Sequence, residues 1–328
     1  MTQLSDSFQR PINYLRISVT DRCNLRCVYC MPPGGTPLMP RSDILRYEEL
    51  QTVAQAAAAL GITKVRLTGG EPLVRAQLTR LVHMLSQIEG IDDISLTTNA
   101  LLLKRYAAPL KQAGLKRVNV SLDTLKRDRF QRITRRDRLT NVLAGMETAR
   151  RVGLDPVKVN MVVMRGINDD ESLDFARLTI DQGWHVRFIE PMPFVADLDF
   201  VPLSEIQERL LSLGELEPFP FSPGNGPAKY FRFPGASGTI GFISPLSQHF
   251  CFDCNRLRLT ADGQLHPCLL ADEEMNLRQP LRHGVSPEEL SQLIRQAVSS
   301  KPERHRLGEG VPPQKVPPQK RPMCQIGG

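Results

Sequence analysis

Residues 14–32 read YLRISVTDRCNLRCVYCMP. The first six are apolar or β-branched apart from Arg16 and Ser18, as in a buried strand. A loop follows with Cys23, Cys27 and Cys30 in the spacing C-x3-C-x2-C, so three of the seven cysteines of the chain lie just past the end of one strand. The residues before the strand, MTQLSDSFQRP, lack the apolar core of a secretory signal. No apolar run approaches the roughly 18 residues that suggest a membrane span. The expectation is a cytoplasmic protein. There thiols stay reduced, and clustered cysteines serve a metal or catalysis rather than disulfides. Three closely spaced thiolates suit an iron–sulfur cluster. Structural zinc takes four ligands, commonly from two separated pairs, and no histidine stands beside this set. A four-iron cluster on three cysteines keeps one iron open to a ligand, which an electron carrier does not need.

Outward from this stretch, strand and helix alternate. Strands are expected at 14–19, 64–70, 93–99, 117–123, 157–163 and 185–192. Helical spacing occupies 47–60, 78–90, 101–114, 139–153 and 169–183, and Pro109 predicts a kinked, broken or shortened third helix. Such alternation predicts parallel strands joined by right-handed crossovers, with the site at the strands' carboxyl ends. It fits a doubly wound sheet or an incomplete barrel equally. After about residue 220 the character changes. FPFSPGNGP (219–227) is a turn-rich break, and 229–235, 239–245 and 257–269 read as short antiparallel strands with a hairpin turn at Asp262-Gly263. A helix over 287–298 follows. VPPQKVPPQK (311–320) is a repeat suited only to an extended linker. The expected division is 1–220, 221–310, and 311–328 as linker and tail.

A second cysteine set lies in HFCFDCNRLRLTADGQLHPC (249–268): Cys251, Cys254 and Cys268. Here zinc competes on even terms with iron, because His249 or His266 could complete a Cys3His tetrahedron. Cys324 is left over and reads as an ordinary exposed thiol rather than a cluster ligand. The charge balance, 42 Lys+Arg against 35 Asp+Glu with a pI near 9.2, suits an anionic ligand and equally a solvated basic surface.

The first cysteine loop, with Tyr29 before its last cysteine, and GGEP (69–72) after the second strand resemble the radical S-adenosylmethionine (SAM) superfamily. With KVRLTGGEP, RVNVSLD, CNRLRLTADGQLHPCL and a terminal Gly-Gly in this order, nearly the whole chain is similar to the GTP 3′,8-cyclase family of molybdenum cofactor biosynthesis. The resemblance implies an incomplete (β/α)6 radical SAM barrel with a C-terminal antiparallel β-rich extension carrying a second cluster. It implies one [4Fe–4S] cluster on Cys23, Cys27 and Cys30 that chelates SAM, and another on Cys251, Cys254 and Cys268 that binds substrate. It implies SAM contacts from Tyr29, Gly70, Ser121 and Met192, and GTP contacts from Arg16, Arg66, Thr97, Lys158, Arg256, Leu257 and Arg258. Arg187, on strand six, has the same placement as the strand arginines. The tail pair Gly327 and Gly328 is implied to enter the barrel and assist catalysis. The implied reaction cleaves SAM and cyclises GTP to (8S)-3′,8-cyclo-7,8-dihydroguanosine 5′-triphosphate, with an external one-electron donor. Its product would pass to a cyclic pyranopterin monophosphate synthase. A homodimer is compatible with this reading, and no nucleic acid or membrane partner is expected. The rivals are a radical SAM enzyme acting on RNA or a peptide, and a two-cluster electron carrier. The chain has no G-x4-GK[ST] loop, so scattered basic side chains must hold a triphosphate. One departure is Ala100 in TTNA, where the family often has glycine.

Overall fold

The computed structural model describes residues 4–192, 201–221, 226–245, 247–271, 273–305 and 321–327. Six strands pair side by side in chain order, all parallel: β1 (Tyr14–Ser18), β2 (Lys64–Thr68), β3 (Asp93–Thr98), β4 (Arg117–Ser121), β5 (Val157–Val162) and β6 (His185–Ile189). Helices α1 (Tyr47–Ala59), α2 (Leu78–Ser86), α3 (Leu103–Gln112), α4 (Arg127–Thr134), α5 (Leu139–Arg151) and α6 (Ser172–Asp181) fall between them in sequence. The two-residue period of the strands divides their side chains. Leu15, Ile17, Val65, Leu67, Leu96, Val118, Val120, Val159, Val186 and Phe188 join the helices in one apolar core. The alternate residues, among them Arg16, Arg66, Thr97, Ser121, Asn160 and Arg187, line a cavity on the opposite face.

The expected strands are found, each ending one to three residues early. Pro109 lies inside α3, whose first turn begins at Leu103 rather than 101. The sequence pattern did not foresee α4. This helix matters for the site, because the cysteine loop docks on its end: Arg26 and Val28 donate their backbone N–H groups to the carbonyls of Thr134 (3.0 Å) and Ile133 (2.9 Å).

The C-terminal strands are β7 (Glu217–Pro218), β8 (Lys229–Arg232), β9 (Ile240–Ile243), β10 (Arg256–Leu259), β11 (Gln264–His266) and β12 (Met275–Asn276). They pair antiparallel among themselves, as expected. The strand of each group that meets the barrel runs parallel to it: β9 beside β6, and β10 beside β1. The extension therefore lengthens the wall at both edges, in the order β12-β11-β10-β1-β2-β3-β4-β5-β6-β9-β8-β7, and the sheet stays open. Helices α7 (Leu203–Leu210), α8 (Arg278–Arg282) and α9 (Pro287–Ser299) follow β6 in sequence, and α9 packs on α1. Its start is fixed by Ser286, whose Oγ accepts from the N–H of Glu289, while the Glu289 carboxylate accepts from the N–H of Ser286. The VPPQK repeat and Gly328 lie outside the described residues.

Leu257 pairs with Leu15 across β10 and β1 and is fully buried in the core. Its side chain does not face the cavity, so any nucleotide contact from this residue is through its backbone. Leu257→Ala is expected to lower unfolding free energy by about 2–5 kcal/mol in urea titrations. The folded fraction should keep the wild-type nucleotide affinity.

Candidate active site

The glycines of GGEP explain how the first loop is held. The N–H of Gly70 donates to the carbonyl of Thr20 (2.7 Å), and that of Glu71 to Arg22 (2.7 Å). A Cβ on Gly70 would drive into the Arg22 carbonyl and come within 2.8 Å of that of Asp21. Only glycine lets the end of β2 lie this close to the backbone entering the cysteine loop. Glu71 is buried, and its carboxylate accepts from Thr98 Oγ1 (2.7 Å), the N–H of Asn99 (2.7 Å) and the N–H of Leu73 (3.0 Å). Burial raises its pKa to about 7 against these hydrogen bonds. Tyr29 donates to Asp123 Oδ2 (2.8 Å), and Asp123 Oδ1 accepts from the N–H of Val162 (2.9 Å). This ties the loop to the ends of β4 and β5. Burial likewise raises Asp123 to about 6.

All six cysteines of the two sets line one cavity, together with Tyr29, Gly70, Ser121, Met192, Arg16, Arg66, Thr97, Arg187, Arg256 and Arg258. The sets stand at opposite ends of it. Cys23, Cys27 and Cys30 follow the carboxyl end of β1. Arg256 pairs with Tyr14, the first residue of β1, so Cys251 and Cys254 lie at the amino end, and Cys268 returns there after β11. The site thus extends along the barrel rather than sitting wholly at the strands' carboxyl ends.

Between the ends runs a basic belt. Across the sheet, Arg258 pairs with Arg16 and Arg16 with Arg66, while Asn160 pairs with Arg187. Burial lowers the pKa of Arg66 and Arg258 to about 10, with neighbouring arginines adding to the effect. Lys158 sits below the cavity lining, with Nζ 3.1 Å from Tyr230 Oη and 4.7 Å from the centre of the Phe221 ring. Burial, then the charges of Arg187, Arg117 and Arg66, depress it to about 6. Thr97 Oγ1, Asn160 Oδ1 and Arg187 Nε are buried without a hydrogen-bond partner. Polar atoms of this kind, set among cations, fit a polyanionic ligand with hydroxyl and phosphate groups.

The thiols fit metal clusters. Burial raises the pKa of Cys23 to about 11 and raises Cys27 and Cys30 as well, so their thiolates need a cationic partner. At Cys254 burial acts the same way, but the charges of Arg256 and Lys301 outweigh it and bring the thiol to about 6. Among the described residues, the one trio with donor atoms all within 4.8 Å of one another is His249, Cys251 and His305. Neither cysteine set converges so tightly, as ligands of a single tetrahedral ion do; a four-iron cluster spreads its thiolates over separate irons. His266, the other histidine weighed for zinc, faces Glu274 at 3.5 Å.

Among the described residues, the expected ones missing from the cavity wall are Leu257, Lys158 and Gly327. Gly327 touches a lining residue: its carbonyl accepts from Arg258 Nη1 (2.7 Å). Cys324 is not an exposed thiol; it is 2% exposed and lines the cavity. Tyr14, Glu71, Asn99, Asp123 and Asn160 also face the cavity and were not singled out in the sequence. The two-residue alternation with Arg16 and Lys158 was the available signal for Tyr14 and Asn160.

Comparison with known proteins agrees with this arrangement. Residues 17–179 match the radical SAM superfamily, and residues 184–307 match the family described as molybdenum cofactor synthesis C. A GTP 3′,8-cyclase of Moorella thermoacetica is 53% identical over 99% of this chain and all of its own length. One from Pelotomaculum thermopropionicum is 52% identical over the same shares. The chain belongs to the GTP 3′,8-cyclase family. Among solved structures, Streptococcus suis SuiB bound to S-adenosylmethionine superposes with a TM-score of 0.61 at 14% identity, covering 94% of this chain and 72% of SuiB. That likeness establishes the fold. Within the GTP 3′,8-cyclase family the Gly70 packing has a direct test. Gly70→Ala is expected to cost about 1–3 kcal/mol of stability through overpacking. It should also lower the iron retained per chain after anaerobic reconstitution, because the cysteine loop is pushed off its seat.

Proposed function

We propose that the chain binds GTP between two [4Fe–4S] clusters and converts it to (8S)-3′,8-cyclo-7,8-dihydroguanosine 5′-triphosphate, the first step toward molybdopterin. The observation that carries this reading is the single cavity with a cysteine triad at each end and a cationic belt between them. Cys23, Cys27 and Cys30 hold the first cluster, and Tyr29, Gly70, Ser121 and Met192 seat SAM beside it. When bound, that cluster with SAM and an external one-electron donor would supply a 5′-deoxyadenosyl radical to take hydrogen from C3′ of the nucleotide; C3′ would then bond to C8 of the guanine, and one further electron and a proton would complete the dihydro product. Cys251, Cys254 and Cys268 hold the second cluster, which anchors the base. Arg16, Arg66, Thr97, Lys158, Arg256 and Arg258 hold the polar groups of GTP, with Leu257 offering its backbone, and Arg187 joins them. The barrel wall keeps water from the reacting carbons. Gly327 and Gly328 cover the substrate from the tail. Residues 1–220 form the SAM-binding part, 221–310 the substrate-binding part, and 311–328 the linker and tail. Reduced thiols and clusters suit the cytoplasm; among the described residues no helix is long and apolar enough to cross a membrane.

A second reading places zinc near the second triad, favoured by the His249, Cys251 and His305 trio. Metal analysis separates the two. Two clusters require about eight irons per chain and no stoichiometric zinc.

The decisive experiment incubates anaerobically reconstituted protein with SAM, dithionite and GTP. We expect 5′-deoxyadenosine only when GTP is present, with the cyclised nucleotide seen by mass spectrometry. Deoxyadenosine independent of GTP would point to another substrate, and its complete absence to an electron carrier.

Lys158 makes a separate prediction. Its ligand-free pKa near 6 leaves it mostly neutral at pH 7.5. A triphosphate beside it favours the ammonium form, so GTP binding should take up a proton at that pH. Calorimetry in buffers of different ionisation enthalpy measures this uptake. Lys158→Met should abolish it and weaken binding.

A further inference from the structure

The chain carries a fourth thiol beside the first triad. Cys324 stands in the short helix α10 (Met323–Ile326), and Cys23, Cys27, Cys30 and Cys324 all line the same cavity. The position of Cys324 is fixed on both sides. Before it, Arg321 pairs with Glu274 (2.6 Å) and Asp262 (3.3 Å), which anchors the base of the tail to the turn and strand flanking β11. After it, the Gly327 carbonyl accepts from Arg258. Gly327 has a φ of 81°, and a Cβ there would come within 2.8 Å of Thr68 Cγ2, so the tail end fits against β1 and β2 only as glycine. The Cys324 Sγ lies 3.6 Å from Thr36 Oγ1, on the loop that follows Cys30. The buried Cys324 thiol thus shares the cavity wall with the first triad and lies against the loop that follows Cys30.

Resting on the cluster assignment above, we propose that Cys324 is a displaceable fourth thiolate of the first cluster. It closes the open iron while SAM is absent and leaves when SAM binds. Forming the iron–sulfur bond releases the thiol proton. On SAM binding that bond breaks, donor atoms of SAM take its place, and Cys324 regains a proton; no electron is transferred. An open iron is the corner of a cluster most readily lost to oxidants, so the tail would protect the resting enzyme. It also couples tail position to SAM, since Tyr29, Gly70 and Met192 border the same space.

The test compares wild type, Cys324→Ser and Arg321→Ala, each full length and reconstituted with 57Fe. Serine keeps the size and loses most of the ligand strength. Arg321→Ala keeps the thiol but frees the base of the tail, so it remains informative if the serine variant folds poorly. The second cluster contributes the same background to all three. We expect the SAM-free Mössbauer spectrum of wild type to lack a distinct non-thiolate iron at the first cluster. Both variants should show one, and wild type should acquire one on adding SAM. Brief ferricyanide treatment should yield [3Fe–4S] signals faster in the variants. If the thiolate holds the iron about nine-tenths of the time, SAM should bind about tenfold more tightly to Cys324→Ser by equilibrium dialysis. Identical spectra and SAM affinities in all three proteins, with clusters present, would overturn the proposal and leave the cluster assignment standing. Absence of a [4Fe–4S] spectrum from reconstituted wild type would reject both.

Discussion

Burial of basic side chains, reinforced by their mutual repulsion, is the constraint around which this barrel is organised. Arg16, Arg66, Arg258 and Lys158 are all held below their ordinary pKa, by burial first and then by one another's charges. Such an arrangement opposes folding unless the outward face of the same strands compensates. It does so through the unbroken apolar core formed with the helices. Local packing is adapted to the belt too. Gly241 pairs with Arg187, and a Cβ there would come within 2.9 Å of Arg187 Cγ and 3.0 Å of the Tyr230 ring. A bare backbone at this point gives the arginine its room. Stability is thus given up inside the barrel for a site that an anion can complete.

The two edges of the sheet carry the second requirement. A wall of six strands alone would end at β1 and β6. The parallel addition of β10 places Arg256 and Arg258 next to Arg16 and brings the second cysteine set to the amino end. The addition of β9 places Gly241 and, through β8, Tyr230 beside Arg187 and Lys158. The C-terminal third of the chain is therefore not an appended lobe. It supplies both edges of the wall that surrounds the ligand.

Much of this was legible in the sequence, for reasons of locality. Strand alternation, the C-x3-C-x2-C loop and GGEP are written in contiguous residues, and the six strands appear where the two-residue period placed them. What escaped depends on partners distant in sequence. The parallel seating of β9 and β10 could not be read from short strands whose visible turn announces a hairpin. Leu257 alternates with Arg256 and Arg258, so its inward-to-core orientation follows from the strand period; the family resemblance, which speaks of contact, outweighed that signal. Cys324, left over from both triads, reads as an exposed thiol, yet it is buried next to an arginine whose ion pairs reach residues far upstream. Ala100 shows the cost of a local departure from pattern. Itself fully buried in the turn between β3 and α3, it holds a φ of 63°, the left-handed conformation that glycine takes without strain.

Charge is also sorted along the barrel axis, and this bears on how two ligands share one cavity. At the carboxyl end stand Glu71, Asp123 and three thiols, all groups whose charged form is negative. Burial raises each of the two carboxyls, yet both keep hydrogen-bond donors suited to the anion. Deeper in, the belt is positive. A sulfonium such as that of SAM is favoured at the first end and disfavoured in the belt, while a triphosphate is favoured only in the belt. Because the interior is poorly screened, this sorting acts over the whole length of the cavity. At this junction the carbonyl of Gly327 accepts from Arg258 Nη1. At the boundary between the two fields, a neutral dipole satisfies the arginine without displacing the anion it serves.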